Sequence, residues 1–269
     1  MKKIQVLALG LCLSAGAVSY AQHVEAAPFV NRPAGTENTN ALFDPLFNYD
    51  LTAQIGASGN AGVVFINGEF WISAWASDLI HVLDNNGMYL ETFSLSGLTG
   101  TRSLTTDGTY VYAGTASNLI YEIDPITRNL ENTIGIAATS DALARMLAYD
   151  PTLDGGNGGF WTASFSSDIE AFDMNGGSLQ VIPYANHGHA IYGGAVDHYS
   201  DGGPYLWLHS QGTTNGQSQV VQLSLATGQL TGVLYDYNTS DSSLQEIHLS
   251  LVVCLSQMNF MQILWLLWG

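Results

Sequence analysis

Residues Ala61–Leu95 read AGVVFINGEFWISAWASDLIHVLDNNGMYLETFSL, and the punctuation of this stretch decides the fold. The run Gly62–Ile66 stops at Asn67-Gly68, a pair that tolerates the positive φ of a tight hairpin turn. The chain returns as Glu69–Trp75, dense in aromatic and β-branched residues. A short polar link, Ala76-Ser77-Asp78, leads into Leu79–Leu83, and Asn85-Asn86-Gly87 turns the chain into Met88–Leu95. Two hairpins in series make one four-stranded antiparallel meander.

The same grammar recurs downstream. Thr101–Ala137 runs RSLTT, the turn Asp107-Gly108, TYVYAGT, the link Ala116-Ser117-Asn118, LIYEID, a turn at Pro125–Arg128, and NLENTIGI. Arg145–Tyr184 repeats it with an expanded Gly-rich first turn, PTLDGGNGG, and Phe160-Trp161 stands where Phe70-Trp71 stood. Tyr192–Tyr237 gives a fourth copy, with the longer link QGTTNGQS. Blocks of four strands repeating every 40–48 residues or so mark propeller blades, because the strands of a sandwich do not recur in fours. The expected fold is all-β: a β-propeller of four-stranded antiparallel blades over residues 42–248, with four blades near 61–97, 101–137, 144–184 and 191–237, and an incomplete or frame-shifted fifth. Phe47–Ala53 alternates apolar and polar residues and is assigned to a lone outer strand.

Composition agrees. Gly accounts for 29 of 269 residues, ordinary for a turn-rich β protein and far too many for a helical one. Met1–Ala21 has a Lys2-Lys3 start, the apolar run Ile4–Val18 and a small-x-small end, so it reads as a secretory signal, with Gln22–Ala41 a flexible segment behind it. Leu11 before Cys12 argues against a lipoprotein signal. The formal net charge is −17, and loss of the two leader lysines makes it more negative. So acidic a chain has no basic face for nucleic acid or an anionic membrane surface. Its partners are expected among extracellular proteins, glycans or small molecules. Only Cys12 and Cys254 are present, so after leader removal stability must come from the sheet core rather than from disulfides.

The tail 249–269 breaks the pattern, ending in the apolar run LVVCLSQMNFMQILWLLWG. A membrane span would place Ser256, Gln257, Asn259 and Gln262 in lipid, so no stable span is expected. A shifted reading frame accounts for it better. Taking the last base of each codon with the first two of the next, Met258-Asn259 must become Glu and Met261-Gln262 must become Ala. The remaining wobble admits a string that mirrors the opening at Ala61–Trp75. The tail is therefore read as the remnant of a fifth blade.

With those residues in view, the chain resembles the exported β-propeller proteins of Bacteroidetes that travel as type IX secretion cargo, and is similar to YVTN-type and glutaminyl-cyclase-type propellers. FNYDLTA (Phe47–Ala53), GNAGVVFINGEFWISAWASDLIHVLD, and the R-x-L-x-x-D-G/P starts at Arg102–Gly108 and Arg145–Pro151 carry the likeness, over Leu42 to Tyr237. The resemblance implies an extracellular or surface location and a ring closed by the N-terminal strand.

Candidate chemistry is sparse. Arg102 and Arg145 stand five residues before Asp107 and Asp150, and Tyr192 holds that place before Asp197, so all three fall at the starts of innermost strands. Paired guanidinium groups there suit a carboxylate or phosphate; hydrogen bonding to carbonyls of the neighbouring blade is the plain structural use. His187-Gly-His189 is the most metal-like pattern, with Asp141, Asp197 or His198 as completing ligands for a divalent cation, although no motif requires a cofactor. Asp84–Gly87 and Asp154–Asn157 resemble calcium loops but lack the ligand spacing. Glu69, Glu122 and Glu170 lie in different blades, and spacing does not pair them as acid and base. Trp71, Trp75, Trp161 and Trp207 recur on second strands, as blade-to-blade packing would require. The favoured function is a non-catalytic binding or surface-interaction module. The alternatives are a lyase, cyclotransferase-like or lactonase-like enzyme using the channel mouth, and a truncated product without function.

Overall fold

A computed structural model describes residues 48–57, 59–210, 219–236 and 265–267. The leader, the segment behind it and most of the apolar tail lie outside these residues. The described chain opens with a short strand, β1 (Asn48–Asp50), and a single helical turn, α1 (Leu51–Ile55). Blade 1 follows as β2 (Asn60–Ile66), β3 (Glu69–Ala74), β4 (Leu79–Asp84) and β5 (Tyr89–Ser94). Blade 2 is β6 (Thr101–Thr106), β7 (Val111–Thr115), β8 (Leu119–Ile123) and β9 (Leu130–Gly135). Blade 3 is β10 (Met146–Asp150), β11 (Gly159–Ala163), β12 (Ile169–Asp173) and β13 (Ser178–Ile182). Blade 4 is β14 (Ile191–Asp197), β15 (Tyr205–Ser210), β16 (Gln219–Ser224) and β17 (Gln229–Asp236). Each blade is an antiparallel sheet in simple chain order, and the innermost strands β2, β6, β10 and β14 pack in succession, as a propeller requires.

The first three strands of each blade are largely buried on both faces, whereas the fourth strands β5, β9, β13 and β17 are mostly exposed. In β2, Val64 and Ile66 point into a cluster shared with Leu104, Val111 and Ile123 of blade 2, while Val63 and Phe65 point the other way. Tyr112, Phe160 and Phe172 fill the seam between blades 2 and 3. Trp161, Ile169, Leu206 and Val221 fill the next. Where inner strands approach most closely a side chain would not fit: a Cβ on Gly62 would lie 2.7 Å from the backbone of Ser103 and Leu104. Asn67 and Gly68 hold the positive φ values, 53° and 81°, that their hairpin demands.

One strand assignment is corrected. The described residues of Phe47–Ala53 do not form a continuous outer strand, since Asn48–Asp50 is extended and Leu51–Ile55 is helical. The reason is local: one helical turn puts Leu51 and Ile55 on one side, against Val63, Phe65 and Phe70 on the outer face of blade 1. β1 pairs in parallel with β18 (Trp265–Leu267), which places part of the apolar tail beside the start of the fold. Among the described residues these two strands form a separate two-stranded sheet, and no fifth four-stranded blade is present.

Candidate functional site

A meander alternates direction, so the start of each innermost strand and the end of each second strand lie at the same end of the blade. That end also carries the links between second and third strands and the connectors between blades. We call it the connector face; the hairpin turns define the other.

The hairpin face is locked by a device repeated from blade to blade. Asp150 Oδ2 accepts the indole N–H of Trp161 at 3.0 Å, and Asp197 Oδ2 accepts that of Trp207 at 3.2 Å. In blade 2 the Tyr112 hydroxyl donates to Asp107 at 3.0 Å. Blade 1 has Asn67-Gly68 in this turn, and Glu69 accepts from Trp71 instead. These buried rings bear out the packing role expected of Trp71, Trp161 and Trp207. His198 Nε2 lies 2.9 Å from Asp150 Oδ1, joining blade 4 to blade 3.

The connector face is different. Arg102 is the second residue of β6 and Arg145 immediately precedes β10, and both side chains are half-buried. The Arg102 guanidinium carbon lies over the Trp75 ring of blade 1, 4.6 Å from its centroid. That of Arg145 lies 3.8 Å from the Phe165 centroid and 5.7 Å from that of Tyr192. Phe165 and Tyr192 meet edge to face at 4.9 Å, and the buried His209 ring stands 6.3 Å beyond Tyr192. The three residues singled out from sequence therefore share one end of the propeller, with Arg145 and Tyr192 in direct contact.

Neither arginine has a counterion among the described residues, and the buried Nε of Arg102 has no hydrogen-bond partner. Among the described residues no carbonyl of a neighbouring blade accepts from the buried Arg102 Nε. Burial pushes both guanidinium groups below their ordinary pKa, and the charge of Arg102 lowers Arg145 further. Burial raises the Tyr192 phenol, an effect the nearby Arg145 charge partly offsets. Arg128 supplies the contrast within the same fold. It too lies over aromatic rings, those of Trp71 and Phe93 at 5.0 Å each, but it also pairs with Glu91 at 2.7 Å and Glu69 at 3.3 Å. An arginine used to staple blades here receives carboxylates; Arg102 and Arg145 do not.

The Nδ1 atoms of the histidine pair are engaged with different partners. His187 Nδ1 accepts the backbone N–H of His189 at 3.2 Å, while His189 Nδ1 meets the Ser210 hydroxyl at 3.1 Å. Both rings are buried, which lowers their pKa values, that of His187 to about 4 with help from the neighbouring His189. The suggested completing ligands are occupied elsewhere: Asp197 and His198 on the hairpin face, and Asp141 as acceptor for the Asp168 N–H. Among the described residues no three His, Cys, Asp or Glu side chains are grouped to hold a metal. Nor do the three glutamates meet. Glu69 serves Trp71 and Arg128, Glu170 is enclosed by hydroxyls, and burial raises the Glu122 carboxyl. Asp84 Oδ1 accepts the N–H groups of Asn86 and Met88, the work of a turn.

Sequence reading missed Trp75 and Phe165 as arginine partners. Both stand directly before the links Ala76-Ser77-Asp78 and Ser166-Ser167-Asp168, at equivalent positions in blades 1 and 3. Trp75 was grouped with the packing tryptophans, yet it is 37% exposed where the other three are essentially sealed.

No protein-family profile matches this chain, and no curated protein matches it. Solved structures do. The glutaminyl cyclase of Myxococcus xanthus superimposes with a TM-score of 0.57 at 16% identity, over 78% of this chain and 87% of that one. The chain has a β-propeller fold. Kuenenia stuttgartiensis hydrazine synthase matches with a TM-score of 0.44 at 12% identity, over 73% of this chain and 53% of that one, so the chain spans about half its length. At such identities the likeness is one of fold. Among the described residues no helix is long and apolar enough to cross a membrane.

Proposed function

We propose that this protein is an exported binding module whose propeller holds a small anion between Arg102 and Arg145, with Tyr192 at the edge of the site. One observation carries the reading. In a chain with 23 acidic residues and six basic ones, two arginines stand half-buried on the same face, and among the described residues no carboxylate pairs with either. Burying unpaired like charges is costly, and an anion at that place would relieve both the desolvation and the mutual repulsion. Guanidinium groups that lie over aromatic rings keep their N–H edges for bidentate contact with a carboxylate.

The enzyme alternative draws on the glutaminyl cyclase likeness, but a general acid or base beside the arginines is what it needs. No carboxylate contacts either guanidinium among the described residues, and His209, its pKa pushed down by burial to about 4, offers only a weak base. Binding is therefore the better-supported use. Export rests on the leader-like Met1–Ala21, and secretion as type IX cargo on the resemblance carried by Phe47–Ala53 and the blade starts.

The double substitution Arg102→Gln/Arg145→Gln tests the reading. Acetate binding, measured calorimetrically, should fall at least about tenfold, while the melting temperature of the unliganded protein stays within about 2 °C of the parent. Unchanged binding would remove the proposal. A large loss of stability with unchanged binding would assign the arginines to structure.

A further inference from the structure

The arginine face is also an aromatic face, and that narrows its ligand. We infer that the anion is a monocarboxylate carried on a flat apolar body, with its carboxylate at Arg102 and Arg145 and its body against Trp75 or Phe165. The inference rests on the anion-binding reading above and deepens it.

Three observations point the same way. Trp75 and Phe165 are 37% and 39% exposed, large rings left open beside the guanidinium groups, whereas Trp71, Trp161 and Trp207 are sealed. Open aromatic surface next to a charged anchor suits a ligand with an apolar body more than a compact, fully hydrated ion.

Phe165 is also held at a cost. Its φ is 51°, a backbone conformation that a bulky L-residue rarely adopts, and it is kept there by paired hydrogen bonds with Ile191, 3.1 Å from its own N–H and 2.9 Å to its carbonyl. A strained residue fixed by the next blade, with its ring half in solvent and its face under Arg145, is placed for contact rather than for packing.

Charge supplies the third argument. With a formal net charge of −17 the chain repels anions at long range in proportion to their charge. A doubly charged phosphate pays that cost twice, and a monocarboxylate once. Apolar contact then contributes affinity that the field does not oppose.

The test is calorimetric titration of the whole protein with acetate, inorganic phosphate and phenylacetate, repeated on Trp75→Gln/Phe165→Asn. Asparagine tolerates positive φ, so the backbone at 165 is retained while the ring is lost. Phenylacetate should bind about tenfold tighter than acetate, with phosphate weakest, and the double variant should bind phenylacetate no better than acetate. Acetate or phosphate binding as tightly as phenylacetate would overturn this inference and leave the anion site standing. A double variant that keeps the phenylacetate preference would also overturn it. Failure of all three anions to bind would overturn the inference together with the proposal it rests on.

Discussion

Glu170 shows how far a single side chain can be committed to holding blades together. It is fully buried in β12, and its carboxylate accepts hydrogen bonds from the backbone N–H and hydroxyl of Thr139 and Ser140 and from the Ser178 hydroxyl. Burial alone would raise its pKa, but the hydrogen bonds from Ser178, Ser140 and Thr139 overcome that and hold it at about 2. The folded value lies below the unfolded one, so the stabilisation is complete above about pH 5 and is lost as pH falls toward 2. Glu170→Gln should cost roughly 2–4 kcal/mol at neutral pH and remove this acid-dependent component, as followed by urea denaturation at pH 7, 4 and 3. None of this was legible in IEAFD, because four of the five donor groups, those of Thr139 and Ser140, sit some 30 residues upstream in a connector. Arg102 and Arg145 were legible, since repeat alignment alone put them in register. Their ring partners were not, because an exposed and a buried tryptophan look the same in sequence.

Among the elements, strands and hairpins were the readable part. Asn67-Gly68, Asp107-Gly108 and Ala226-Thr227-Gly228 announce their turns by residues suited to positive φ, and Gly68, Gly108 and Gly228 adopt it. Helix α1 was not readable: five residues, LTAQI, carry no cap or period long enough to outweigh an alternating pattern, and only the outer face of blade 1 makes Leu51 and Ile55 worth pairing. The connector between blades 3 and 4 was legible as a loop with two histidines, and its physics is that of burial. Burial lowers His187 to about 4, well below the value an unfolded histidine takes, and does the same to His209 at the end of β15. Both must be neutral to fold, so their contribution is present above about pH 6.5 and drains away as pH falls toward 4. The urea midpoint should therefore drop between pH 7 and pH 5. His187→Asn keeps an acceptor for the His189 N–H but does not titrate, and should flatten that drop. An unaltered slope would show that His187 is not buried neutral.

At the scale of the whole molecule, four repeats of one grammar were enough to specify a propeller, because each blade buries a face against a like neighbour at every seam from blade 1 to blade 4. The repeat also sets the division of labour between the ends. The hairpin face closes its polar groups through Asp–Trp and Asp–Tyr pairs, whereas the connector face keeps two guanidinium groups over exposed rings. The sequence contains four arginines, Arg32, Arg102, Arg128 and Arg145, so an arginine side-chain N–H spectrum is simple enough to read in full. The most direct measurement is a titration of nitrogen-15-labelled protein with acetate, following the Nε–H signals assigned by single Arg→Gln replacements. The Arg102 and Arg145 signals should shift together and saturate with one affinity, while Arg128, already paired with Glu91 and Glu69, stays in place. Signals of Arg102 and Arg145 that do not respond, or that move no more than Arg128, would contradict an anion site on this face.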